Sequence, residues 1–174
     1  MARNSFLIDK LTRSIEDIST GKSYETIVVP IVAADLKKII AKNGWRFNWE
    51  SEFITKDRSV YKLMTTANKA IQGLISLEAI HDHIEMHLIE TAPHNYGKNK
   101  KYLGAPANLV AYGCKISFDS GFGGFVSFDG KTSLINHYIK TLGAQLLSKN
   151  RMFISGYSFK KLVNLYYKDY FNDK

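Results

Sequence analysis

One cysteine, Cys114, is all that this chain offers to disulfide chemistry, which excludes an internal disulfide and suits a reducing compartment. It falls inside an apolar helical pattern, where a small buried core residue is expected. No run of about eighteen apolar residues occurs, so no membrane span is expected. The opening MARNSFLIDKLTR mixes charge into its apolar positions and has no signal-peptide core, so the expectation is a cytoplasmic protein. Repeats, low-complexity tracts and obvious linkers are missing too. The 174 residues therefore read as one domain, long enough to bury a core. Negative charge is scarce: 16 Asp and Glu against 24 Lys and Arg leave +8, which favours nucleic acid or a phosphate-rich cofactor as partner. The lysines are scattered, apart from Lys98, Lys100 and Lys101 and the pair Lys160 and Lys161, so charge alone does not choose.

What is present is a regular alternation of element signals. Leu7, Leu11, Ile15 and Ile18 stand at helical spacing and predict an N-terminal helical extension over residues 1–22. YETIVVPIV predicts a strand near 24–29, and AADLKKIIAKNG a helix stopped at Asn43-Gly44. WRFNWESEF is aromatic and aperiodic, a short helix or a loop. SVYKLMTT, AIQGLISLEAI and HIEMHLIET predict three strands in a meander, with a turn at His81-Asp82. A polar loop from Pro93 to Lys101 leads to a helix over 107–119. GFVSF then reads as a strand, KTSLINHYIKTLG as a helix ended by Gly143, RMFIS as a strand and residues 157–174 as a C-terminal helix. This order implies an α/β fold: a mixed, mostly antiparallel central sheet with helices on both faces.

The segment KYLGAPANL, residues 101–109, puts lysines, a glycine and small residues directly before a helix. Unpaired N–H groups and partial positive charge at such a start suit a phosphate. Pro106 suits the first helical turn but has no N–H to give.

The element order resembles that of the GNAT family of N-acetyltransferases over roughly residues 24–155. MHLIETAPHNYGKNKKYLGAPANLVAYGCKISFDSGF is similar to the family's acetyl-CoA motif, and TSLINHYIKTLGA to the helix carrying the family's tyrosine. Lys101 takes the Gln/Arg place of that motif and Gly104 its first glycine, whereas Pro106 replaces the final small residue. Lys131 stands where an asparagine is usual.

The resemblance implies acetyl-CoA as cofactor. Its arm would lie against Leu88, Ile89 and Glu90, while a neighbouring strand, GFVSF, splays away to admit it. Its phosphates would meet Lys98, Lys100, Lys101, Tyr102, Leu103, Gly104, Ala105, Ala107, Asn108 and Lys131. Tyr138 is the expected general acid, and Glu85 or Glu90 the expected base. Strict alternation groups Ile84, Met86, Leu88 and Glu90 on one face and Glu85 on the other. Trp45, Trp49 and Glu50 are candidates to wall the acceptor site and attract its amine. His83, Glu85 and His87 share a strand face, but a flat face builds no coordination cage, so no metal is expected.

The expected activity is acetyl transfer from acetyl-CoA to the primary amine of a small molecule or peptide. Two alternatives stand beside it. One is a toxin-like acetyltransferase acting on aminoacyl-tRNA, motivated by the positive charge. The other is a catalytically degenerate domain that binds CoA or a protein, motivated by Pro106 and by a tyrosine-to-glycine spacing, Tyr138 to Gly143, one residue longer than usual.

Overall fold

The period-two patterns in the middle of the chain form long antiparallel strands, and everything else is arranged around them. The structure, a computed structural model, describes residues 4–12 and 14–172. Its central sheet takes β3 (Thr26–Pro30), β4 (Arg58–Thr65), β5 (Ile71–Ile80), β6 (His83–Thr91), β8 (Val126–Asp129), β10 (Arg151–Ile154) and β9 (Gln145–Ser148), in that spatial order. All pairings are antiparallel except β6 with β8. A small second sheet joins β2 (Ser23–Tyr24), β1 (Ile15–Asp17) and β7 (Tyr102–Leu103). The expected mixed, mostly antiparallel sheet with helices on both faces is what the chain forms.

One face carries α1 (Trp49–Ile54) and two short 3-10 turns, over a core of Ile31, Ile39, Trp45, Trp49, Leu74 and Leu88. The other carries α2 (Ala105–Asp119), α3 (Ile135–Leu142) and α4 (Gly156–Tyr166). Cys114 is buried in α2, and burial pushes its thiol up to about 12, so it stays a neutral core residue. Gly143 ends α3 in the left-handed conformation (φ 66°), its N–H donating to Ile139 and Tyr138 carbonyls.

Several local expectations fail for identifiable reasons. Residues 4–12 are not helical. Phe6 and Ile8 are buried while Leu7 is exposed, a period of two, and the chain continues into β1. Met1–Arg3 and Arg13 of the expected helical extension lie outside the described residues. AADLKKIIAKNG forms only 3-10 turns, at Ala33–Lys37 and Ala41–Asn43, because Ile40 between them is extended (φ −131°, ψ 157°). β9 has no apolar alternation to announce it; all four of its residues are exposed at a sheet edge. The C-terminal helix stops at Tyr166, and Asp173 and Lys174 of its expected span lie outside the described residues.

Gly124 (φ 83°) sits under the Phe159 ring, where a Cβ would fall 2.3 Å from Cδ2. Gly124→Ala should therefore lower the denaturant midpoint of unfolding by an amount equivalent to about 1–3 kcal/mol.

Candidate functional site

The centre of the molecule is a gap in the sheet. β6 pairs with β8 only at Ile84–Val126 and Glu85–Ser127, after which the two strands part. A bulge marks the place: Ser76 of β5 pairs with Leu88 and Leu77 with Met86, leaving His87 as an extra residue in β6. The bulge shifts side-chain parity by one. Ile84, Met86 and Ile89 face the α2 side, whereas Leu88 packs beneath Trp45 and Trp49. Strict alternation is thereby corrected: Leu88 and Glu90 share the face of Glu85.

Residues 4–12 run through the gap. The Asn4 side chain donates to the Met86 carbonyl of β6 (3.2 Å), and its backbone N–H to the Asp129 carbonyl of β8 (2.9 Å). The Tyr138 hydroxyl, fully buried, donates to the carbonyls of Phe6 (2.9 Å) and Asn4 (3.2 Å). Burial pushes that hydroxyl well above the usual phenol range, so it keeps its proton. Ile8 N–H donates to His137 Nε2 at 2.9 Å. At the far end Gly104 N–H donates to Asp9 Oδ1 at 3.0 Å.

Gly104 caps α2 in the left-handed region (φ 97°), and its open side is filled by Thr12, whose Oγ1 would lie 2.2 Å from an added Cβ. A carboxylate therefore occupies the helix start where the sequence predicted a phosphate. Beside it lies a cavity of about 220 Å³, lined by Phe6, Asp9, Arg46, Ile89, Tyr96 and Lys100 among others.

Glu90 is fully buried and takes donors on both oxygens, from Arg46 N–H (2.7 Å) and the Trp49 indole (2.6 Å). It braces the 46–49 turn against β6. Each of its oxygens is thus engaged by one donor of that turn. Arg46 lies over the Tyr96 ring at 4.1 Å. Burial, with help from the Glu90 charge, raises the Tyr96 hydroxyl, and Arg46 opposes the rise.

Glu85 is also committed: Arg151 grips it with both guanidinium nitrogens, and Ser127 donates to it at 3.2 Å. Arg151 also reaches Asp129 at 3.2 Å. That cluster lines an open pocket of about 390 Å³ on the α1 face together with Ile80, Met86 and the bulged His87. His87 Nε2 lies 2.6 Å from Glu78 Oε2, which fixes the ring.

The other expected site residues divide. Ile89 lines the cavity, and Leu103, Gly104, Ala105 and Ala107 surround the start of α2. Tyr102 and Leu103 spend backbone on β1, and Tyr102 N–H donates to Asn95 (3.1 Å). Lys101 lies over the Tyr102 ring, while Lys100, also a candidate for the phosphates, lines the cavity. Asn108 turns away to Thr26 (2.8 Å). Lys131 is at the opposite end of the gap from Lys101, its N–H donating to Asn4 (2.9 Å). Trp45 and Trp49 are buried over Leu74 and Leu88, because the bulge aims Leu88 at them, and with the exposed Glu50 they also line a pocket of about 320 Å³ beside Ile39 and Phe47. The sequence reading missed residues 4–9, Arg46, Tyr96 and the bulge. Only the buried period of Phe6 and Ile8 could have signalled the first.

No protein-family description and no curated protein matches the chain. Solved structures do. A mutant form of the SpeG spermidine N-acetyltransferase from Vibrio cholerae is similar at 15% identity and TM-score 0.51, over 80% of this chain and 96% of that one. A Bacillus subtilis acetyltransferase in complex with CoA gives 13% identity and TM-score 0.50, over 77% and 99%. A domain from Methanocaldococcus jannaschii gives 16% and 0.50, over 75% and 97%. The chain has the acyl-CoA N-acyltransferase, or GNAT, fold.

Two predictions follow from the brace and from His137. Glu90→Gln puts an amide N–H against one of two buried donors and should cost about 1–3 kcal/mol of unfolding free energy in chemical denaturation. Burial holds His137 below its usual value of 6.5, and only the neutral ring accepts from Ile8. A depressed pKa in the folded state means stability present above pH 6.5 and lost as pH falls below it. Between about pH 7 and about pH 5, the wild-type melting temperature should fall further than that of His137→Gln, which accepts without titrating.

Proposed function

We propose that this protein transfers an acetyl group from acetyl-CoA to a primary amine. One observation carries the reading. The strands part directly beside the start of a fifteen-residue helix, whose Gly104 N–H already holds an anionic oxygen, that of Asp9, at 3.0 Å. The residues present fit a phosphate-bearing cofactor: the helix start accepts an anion, and Lys100 lines the adjoining cavity together with Ile89 and Thr91 of β6. Ala105 and Ala107 amides in the first turn are further donors for that end, and Pro106 supplies none.

When bound, acetyl-CoA supplies an acetyl group already activated as a thioester. The protein's part is positioning and proton management. Tyr138, kept neutral by burial, holds a donatable proton at the narrow end of the gap, next to the Asn4 carbonyl. His87, oriented by Glu78, stands across the bulge in the pocket on the α1 face and is the group placed to receive a proton from an ammonium. Glu85 and Asp129 give that pocket carboxylates that favour a cationic acceptor, with Arg151 holding them in place. A second reading, a CoA-binding or protein-interaction domain without chemistry, is favoured by one observation: residues 4–12 fill the gap.

Thermal unfolding with and without acetyl-CoA tests the reading. Ligand at about a hundred times its dissociation constant should stabilise the fold by roughly 2.7 kcal/mol. His87→Gln should then lower release of free CoA thiol with an amine panel while leaving cofactor binding intact. Binding with no thiol release from any amine would favour the second reading, and no binding would remove the first.

A further inference from the structure

We propose that residues 4–12 are an intramolecular competitor for the cofactor, so that the gap is closed by the chain's own strap and opens only when the strap leaves. The proposal rests on the transferase reading and adds to it a built-in control.

The strap contacts group after group that the proposed chemistry needs. Asn4 spans the gap, tied to Met86 on one edge and to Asp129 and Lys131 on the other. The Tyr138 proton is spent on the carbonyls of Phe6 and Asn4. Asp9 takes the Gly104 amide, and Thr12 covers the side of Gly104 that lacks a Cβ. Phe6 packs its ring on Tyr138 at 4.8 Å between centroids. An apolar side chain, extended backbone and a terminal anion thus run in the order in which a thioester arm and a pyrophosphate would enter.

The strap is also held in a way that permits release. Among the described residues its only strand-type bridge is Asn4 with Gly130, and residues 5–12 belong to no ladder. Its hold is otherwise a few single hydrogen bonds and four buried residues, Asn4, Phe6, Ile8 and Thr12, while Leu7 is 58% exposed. Occupancy of the gap by strap or cofactor is exclusive, so the apparent affinity for CoA falls by the fraction of molecules with the strap out.

The test uses full-length protein and CoA. Asp9→Ala removes the anion at Gly104, and as Asp9 is exposed the variant should fold. It should bind CoA on the order of tenfold more tightly than wild type in calorimetric titration. In the wild type, CoA should speed amide hydrogen exchange in residues 4–12, where Asn4 and Ile8 N–H groups are bonded, and slow it at the start of α2. CoA binding to both proteins with equal affinity, with residues 4–12 still protected, overturns the competitor and leaves the transferase reading standing. No CoA binding to either protein overturns both.

Discussion

A single inserted residue at His87 bends β6, and the rest of the site depends on that bend. Because β6 is bulged there, Leu88 and Glu90 turn to the α1 face instead of the α2 face. Leu88 then closes the core under two tryptophans, and Glu90 braces the turn that carries them. The same bend carries β6 away from β8, whose pairing lasts for two residues. Core, brace and gap have one cause.

An open edge in the middle of a sheet is an unstable feature. Its N–H and C=O groups must be paired, wetted or covered. In this molecule the N-terminal segment covers it, with polar groups of Asn4 bonded to both strands and the Phe6 ring set against Tyr138 and Phe128. The charge logic is similar at the other end. A helix start with a positive-φ glycine favours an anion, and a carboxylate from the strap supplies it. A ligand entering the gap must therefore replace contacts already made.

Charged groups on the α1 face show how little a carboxylate's presence says about its task. Glu85 and Glu90 lie on one strand and one face, yet both are bound by donors from elements distant in sequence, Arg151 and Trp49. His87, which spacing grouped with His83 and Glu85 on one face, does share a pocket with Glu85, and its ring is tied to Glu78. Proton-transfer roles follow from which lone pairs remain free, and that is a property of the assembled sheet.

By itself, the sequence determined the strands of the meander, the helix that begins near Gly104 and Pro106, the stop at Gly143 and the buried cysteine, because alternation, capping and turn chemistry act over a few residues. Those signals in their order were enough for the fold. Only tertiary structure decided that Leu7, Leu11, Ile15 and Ile18, though spaced like a helix, belong to a non-helical strap, a strand and the turn after it. A neighbouring open edge and a pocket for Phe6 outweigh local propensity there. Tertiary structure alone decided the bulge as well, since one extra residue leaves no mark in composition and shows only when β5 and β6 are laid side by side. The site's occupant, its brace and the histidine held by Glu78 all depend on contacts between residues apart in the chain, which no local pattern records.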